Sequence, residues 1–275
     1  MIVPAPEIRW TAEIPAGIYT IGTPPALIAW LCEHTTWAAE WARDDLFALE
    51  APQTVTLTRP FRLAVYPVTV GDYRAFVAAG GYRTPAWWSA AGEDWRQSQN
   101  VSSPAYWDDP LWTGDPLLPV VGVSWHEADA YCRWLSDVTG RTLRLPTEVE
   151  WEITARGSDG RIYPWGDSYQ PFHANINETF HNLGARYVGH TTPVDAHPPG
   201  ASPFGALDMC GNVWEWCANT FENLADMIPH GLSRRATRGG SWHNAASTAR
   251  AAYRSYGYPG DRRNNLGFRL LLDGA

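Results

Sequence analysis

Arg238-Gly239-Gly240-Ser241-Trp242 opens the C-terminal stretch of this chain, and Gly267-Phe268-Arg269-Leu270-Leu271-Leu272 closes it. Between these stiff ends lies His243-Asn244-Ala245-Ala246-Ser247-Thr248-Ala249-Arg250-Ala251-Ala252-Tyr253-Arg254-Ser255-Tyr256-Gly257-Tyr258-Pro259-Gly260-Asp261-Arg262-Arg263-Asn264-Asn265. Neither the alternation of a strand nor the spacing of a helix runs through it, so it has no face of its own to bury. The rest of the chain must hold it from both ends. Its small, polar and aromatic residues then form a displayed surface.

The composition describes the frame such a surface needs. With 275 residues the chain can bury a sizeable core. Hydrophobic residues at 45% and charged residues at 18% are globular proportions, without the bias of disorder or collagen. Sixteen Trp and 12 Tyr beside 24 Gly and 22 Pro imply long irregular loops pinned by rings, whose N–H and O–H groups also reach loop backbone. A net charge of −8 gives no basic face for phosphate, which excludes a nucleic-acid partner. The arginines from Arg234 to Arg269 are a local exception, read as planar forks that tie loops together. Met1-Ile2-Val3-Pro4-Ala5-Pro6-Glu7 has no basic segment followed by an apolar one, and no apolar run approaches the roughly 18 residues of a membrane span. The expectation is a chain without signal peptide or membrane insertion, cytoplasmic by default. Cys32, Cys132, Cys210 and Cys217 form no CxxC or zinc spacing and read as structural thiols.

Along the chain, residues 9–23 alternate as a strand or a hairpin turning at Pro15-Ala16-Gly17, and Gln53–Thr58 and Phe61–Val68 read as further strands. Thr69 caps a helix with Tyr73, Phe76 and Val77 on its apolar face, ended by Gly80-Gly81. Residues 82–119 carry Trp87, Trp88, Trp95, Trp107 and Trp112 and read as a long loop, either a lid or a binding rim. Ser124 and Glu127 make a capping box for a helix with Ala128, Tyr131, Cys132 and Leu135 as its buried stripe, ending at Gly140. Thr147 caps a third helix, where Glu148 and Glu150 favour the helix dipole, closing near Gly157. With no linker and no tandem repeat, residues 1–275 read as one domain.

Eight motifs then occur in order: Tyr66-Pro67-Val68-Thr69, Val123-Ser124-Trp125, Ala130-Tyr131-Cys132, Arg144-Leu145-Pro146-Thr147-Glu148, Tyr163-Pro164-Trp165-Gly166, Gly211-Asn212-Val213-Trp214-Glu215-Trp216, Arg238-Gly239-Gly240-Ser241-Trp242 and Gly267-Phe268-Arg269. In these the chain resembles the formylglycine-generating enzyme, or sulfatase-modifying factor, family over roughly residues 15–272. The resemblance implies an α+β, C-type-lectin-like fold: small twisted antiparallel sheets, a few helices, extensive loops, and paired terminal strands. Function does not follow from that fold. The family's enzymes carry two copper-binding cysteines just after Arg-Gly-Gly-Ser, at positions held here by Asn244 and Ala249. An amide and a methyl group cannot replace soft thiolate ligands, so catalysis of that type is not expected. A relative in ergothioneine biosynthesis uses a histidine triad with iron. The histidines here are His34, His126, His173, His181, His190, His197, His230 and His243, and none forms a His-x3-His pair.

The tail is most similar to that of the variable proteins of diversity-generating retroelements, in which adenine-directed mutagenesis rewrites the end of a lectin-like domain. Changing only the adenines of an AAC codon reaches His, Tyr, Asp, Ser, Thr, Gly and Ala, and leaving them keeps Asn. Those types stand at His243, Asn244, Ala245, Ser247, Thr248, Ser255, Tyr256, Gly257, Tyr258, Asp261, Asn264 and Asn265, whereas Gly239, Gly240, Trp242, Gly267 and Phe268 can be encoded without adenine. The expectation is a ligand-binding protein with a hypervariable site at about 242–265, taking a protein or other macromolecular ligand. The alternatives are a divergent oxidase or iron-dependent sulfoxide synthase, and a noncatalytic structural member. Tyrosine with Ser, Gly and Asn is the mixture of antibody loops. Tyr256 and Tyr258 would anchor a ligand, with Trp242 and loop residues Trp107 or Trp112; Tyr253 is either displayed or packed beneath. The resemblance requires no cofactor but implies a structural Ca²⁺ held by Asn175, the Ile176 carbonyl, Asn212, the Val213 carbonyl and Glu215, with Glu215 alternatively bonding loop amides.

Overall fold

The computed structural model describes residues 4–228 and 232–274, so His230 lies outside the described residues. An extended N-terminal segment bridges Trp10 to Ala64 and Ile14 to Phe61 before β1 (Gly17–Ile21), α1 (Pro25–His34) and α2 (Ala38–Arg43). β2 (Gln53–Leu57) returns antiparallel to β1, and β3 (Phe61–Leu63) follows. Pro15-Ala16-Gly17 therefore makes no hairpin. It separates a segment that pairs with β3 from one that pairs with β2, because the apolar positions on its two sides serve different neighbours.

α3 (Val70–Ala78) begins where its cap predicts: the Asp72 amide donates to Thr69 Oγ1 and the Asp72 carboxylate accepts from the Thr69 amide. The stretch 82–119 is not loop throughout. It holds α4 (Ala90–Ser98), capped by Ser89, and the single turn α5 (Pro110–Thr113). Gly92 lowers the helix propensity of α4 and only Trp95 marks an apolar stripe, so no period reveals it. α6 (Trp125–Thr139) has the predicted Ser124/Glu127 box and stops at Gly140, whose φ of 67° is left-handed. β4 (Leu143–Arg144) and α7 (Glu148–Arg156) follow, then a long irregular stretch before β5 (Trp214–Thr220). β6 (Arg235–Arg238), β7 (Ser255–Gly257), β8 (Leu266–Gly267) and β9 (Leu271–Asp273) complete the chain.

Among the described residues the strands form three small sheets, β1-β2, β3-β9-β4 and β7-β6-β5-β8. All pairs are antiparallel except β5 with β8. The C-terminal β9 lies between β3 and β4, which is how the chain's end is tied to its beginning. Aromatic rings fill the core around α6: Tyr131 stacks on Tyr73 at 5.4 Å and meets Phe268 at the same distance, edge-on. Cys132, Cys210 and Cys217 are buried, and burial pushes their thiols up, as structural thiols require.

Arginine forks replace regular structure where sheets are short. Arg269, fully buried, holds both Glu215 oxygens at 2.6 Å and donates to the carbonyls of Ala64, Val65 and Leu207. Arg238 bonds Glu152 and the carbonyls of Ala251, Ala252 and Tyr253. The α7 carboxylates are thus more than dipole partners. Glu148 is 1% exposed and takes the Arg254 fork at 2.7 Å, while Glu150 closes the cap and pairs with Arg144. Left without these guanidinium groups, carboxylates this deeply buried would cost the fold heavily.

Candidate binding surface

The segment after β6 turns on Gly239 and Gly240, with φ of 95° and 72°. A Cβ on Gly240 would stand 2.9 Å from that of Ala249, so only glycine lets the chain fold back this tightly. From there inward-pointing arginines hold the segment. Arg250 sits 5.2, 5.4 and 5.3 Å from the rings of Trp37, Trp41 and Phe47 and forks onto buried Glu50 at 2.6 and 2.8 Å. Arg254 holds Glu148, and Arg262 reaches Glu127 at 3.0 Å. β7 then pairs with β6, Ser255 opposite Thr237.

What remains faces water. His243, Tyr256 and Tyr258 are exposed; Asn244, Ala245, Thr248, Tyr253, Ser255, Asp261, Asn264 and Asn265 are half-buried. Ser247 and Gly257 are not displayed, contrary to the expectation. Ser247 is 3% exposed with its Oγ 3.1 Å from His181 Nε2, and a Cβ on Gly257 would lie 2.6 Å from the buried Trp216 ring. Both belong to the frame. Trp242 is 8% exposed and supports from below, between Trp112 at 6.0 Å and Tyr187 at 6.3 Å. Trp107 turns to the core instead, edge-on to Tyr73.

Distant residues meet here. Ser241 Oγ donates to Asn244 Oδ1 at 2.6 Å and accepts from Asn265 Nδ2 at 3.1 Å, joining the two ends of the segment. Tyr187 Oη lies 3.1 Å from His243 Nδ1. Tyr253 is held between Trp41 at 5.5 Å and Trp214 at 6.1 Å. Trp214, Thr237, Ser255, Tyr256, Arg263 and Leu266 line a small recess with room for little more than a water molecule. Larger clefts, of about 290 to 460 Å³, lie elsewhere, so this face is shallow by comparison. Sequence reasoning missed Trp41, Tyr187 and Trp214 as neighbours of the segment. Trp41 and Tyr187 are far from it in the chain and carry no local signal; Trp214 stood inside a quoted motif without a role.

The metal chemistry of the resembled enzymes can be tested on the donors present. Ala249 is fully buried against Gly240, and the Asn244 amide is engaged by Ser241, so neither position offers a soft ligand for copper. Among the described residues no group of three or more His, Cys, Asp or Glu side chains is close enough to hold a metal. The calcium set also needs correction. Both Glu215 oxygens serve Arg269, one also accepting from Trp151 Nε1, and the Asn212 amide is spent on Asn175, Thr192 and Asp208. The unpartnered buried oxygens beside them are Asn175 Oδ1, Asp208 Oδ1 and the hydroxyls of Thr191 and Thr192. Burial pushes the Asp208 carboxyl up to about 7.

The family described as "Sulfatase-modifying factor enzyme 1-like domain" matches residues 5–274. The chain is 35% identical over 259 residues to inactive C-alpha-formylglycine-generating enzyme 2 of Mus musculus, covering 80% of this chain and 77% of that protein. It is 34% identical over 258 residues to hercynine oxygenase of Mycolicibacterium thermoresistibile, covering 84% of this chain and 55% of that protein. Among solved structures, PvdO from Pseudomonas aeruginosa superposes with a TM-score of 0.66 at 25% identity, covering 95% of this chain and 93% of that one. Treponema denticola variable protein 1 superposes with a TM-score of 0.65 at 20% identity, covering 98% of each, and so shares the fold. The ordered motifs, the small sheets clamped by buried arginines and a match along nearly the whole length lead to one conclusion: the chain belongs to the sulfatase-modifying factor family.

Proposed function

We propose that this protein is a non-catalytic binding protein whose segment at about 242–265 is a hypervariable site, diversified by a retroelement through adenine-directed mutagenesis. One observation carries the reading. Most residue types reachable from AAC fall at water-facing positions, among them His243, Asn244, Thr248, Ser255, Tyr256, Tyr258, Asp261, Asn264 and Asn265. The positions that need no adenine, Gly239, Gly240, Trp242, Gly267 and Phe268, are buried. Ser247, Gly257 and the buried Ala246, Ala249, Ala251 and Ala252 depart from this pattern. The likeness to a variable protein supports the scaffold, and the relative named inactive supports the loss of chemistry. A shallow face rich in Tyr, Ser and Asn suits a protein or other macromolecular ligand, with no nucleic-acid or membrane partner.

The test is to sequence the DNA downstream of the gene. A near-copy of codons 238–270 that differs only where the copy has adenine, beside a reverse transcriptase gene, is the expected result. Its absence there and elsewhere in the genome would sink the reading. A second reading, an iron-dependent oxygenase, is favoured by the 34% identity to hercynine oxygenase; stoichiometric Fe(II) binding by the purified chain would favour it over the first.

The structural Ca²⁺ belongs to the same proposal, but with Asn175 Oδ1 and Asp208 Oδ1 as its side-chain oxygens in place of those of Asn212 and Glu215. Millimolar Ca²⁺ is expected to raise the melting temperature over an EDTA control, and Asp208→Asn to abolish the rise. An identical melt with and without Ca²⁺ would discard it.

A further inference from the structure

We propose that Tyr106 and Tyr187, both outside the C-terminal segment, are fixed anchors that clamp a protein ligand on either side of Trp242, whatever residues the segment presents. The inference rests on the binding reading above. Both rings are 44% exposed, while the aromatic residues between them, Trp112 and Trp242, are 5% and 8% exposed. The four rings follow one another at 6.1, 6.0 and 6.3 Å, from Tyr106 to Trp112 to Trp242 to Tyr187. The two tyrosines thus stand at the ends of a buried aromatic bar lying beneath the segment's first residues.

Both are held in place. Tyr106 has a φ of 63°, a left-handed conformation unfavourable for a non-glycine residue that persists only where neighbours impose it. The neighbours are the segment itself. The Ala105 amide donates to the Gly122 carbonyl at 2.9 Å, the Gly122 amide donates to the Arg263 carbonyl at 2.9 Å, and the Arg262 guanidinium donates to the carbonyls of Ser103 and Gly122. The loop is therefore strapped to residues 262–263 and presents Tyr106 at the edge of the face. Tyr187 is held by segments that do not change: its ring lies 6.3 Å from that of buried Trp242, and the carbonyl of the preceding Arg186 accepts from the Glu178 amide at 3.0 Å. A preordered tyrosine offers contact area and a hydroxyl at little entropic cost, so these two supply affinity that the changing positions can specialise.

The occupant is a protein surface with basic side chains. Two exposed rings separated by two buried ones, on a face whose recess is small, suit a broad surface rather than a small molecule. The Tyr106 loop also exposes Asp108, Asp109 and Asp115, none of which has a cationic partner within 4.0 Å among the described residues. Carboxylates beside exposed rings suit Lys or Arg, which can pair with one and stack on the other.

The experiment displays the full chain with positions 243, 244, 248, 255, 256, 258, 261, 264 and 265 randomised, and selects it against lysozyme as a basic test protein. Tyr106→Asn, chosen because Asn tolerates positive φ, and Tyr187→Ser are then introduced separately into several unrelated selected clones. Each is expected to weaken lysozyme binding about tenfold in most clones, the effect of losing an anchor residue. Tyr106→Phe and Tyr187→Phe should keep most of the affinity, and melting temperatures should hold. Clones that bind as before overturn the inference and leave the variable face standing. Weakened binding accompanied by a lowered melting temperature makes the rings fold supports and overturns it as well. A library that yields no binder removes the variable face, and the clamp with it.

Discussion

Gly257 and Tyr258 are neighbours with opposite tolerances. A side chain at 257 must push into Trp216, which is fully buried and donates to the Val123 carbonyl at 3.0 Å, whereas Tyr258 is 54% exposed. Gly257→Asn is expected to lower unfolding free energy by about 1–3 kcal/mol through overpacking. Tyr258→Asn should change it by no more than about 0.5 kcal/mol. Denaturant melts of the two variants check this; equal stabilities would show that the face is not organised as described. Arg250 is the second residue whose loss should be severe. Arg250→Ala leaves Glu50, 2% exposed, with only Thr23 for a partner, and is expected to cost about 3–5 kcal/mol in the same melts.

Among the elements, α2 has the least obvious role. It contributes little core of its own, with Ala38 its one buried residue. Its importance is that Trp41 touches Tyr253 at 5.5 Å and stands 5.4 Å from the Arg250 guanidinium. Trp41→Ala should therefore loosen residues 250–256 locally. Hydrogen exchange of those amides is expected to rise at least about tenfold, one step of local opening free energy, with the α6 amides unchanged. Uniform acceleration in both places would mean instead that α2 supports the whole fold. α6 and α7 were legible in sequence because Ser124/Glu127 and Thr147/Glu150 are local capping signals that need no tertiary context. α4 was not, because its faces are sorted only by packing on α6.

At the scale of the molecule, charge is handled by arginine alone: every one of the 21 basic Lys or Arg residues is Arg. Five of them, Arg156, Arg235, Arg238, Arg250 and Arg269, are among the largest fully buried side chains. Planar forks can satisfy several loop carbonyls at once, which a lysine cannot, and this lets short sheets support long loops. The same crowding sets a pH response. His126 is 6% exposed with Nδ1 unpartnered, packed beside the rings of Trp95 and Trp125, and burial, with a contribution from Arg235, lowers it to about 4. The folded state then binds fewer protons than the unfolded chain between about pH 6.5 and 4. The stability held above pH 6.5 should fall as pH drops through that window, and His126→Gln should flatten the fall. Melting temperature against pH for both proteins checks the sign; parallel curves would remove His126 from the account.

The sequence by itself determined the family, the helices with capping boxes, the frame of Arg-Gly-Gly-Ser-Trp and Gly-Phe-Arg, and an amide and a methyl group at 244 and 249. Each of these is written in neighbouring residues or in side-chain chemistry, so no fold is needed to read it. Only the tertiary structure decided which residues of the segment face water. Ser247 and Gly257 share the composition of the displayed positions, yet His181 and Trp216, each at least thirty residues away, bury them. Tyr106, Tyr187 and Trp41 join the surface for the same reason in reverse. Exposure is a property of what packs against a residue, and in a loop-rich fold those partners come from anywhere in the chain.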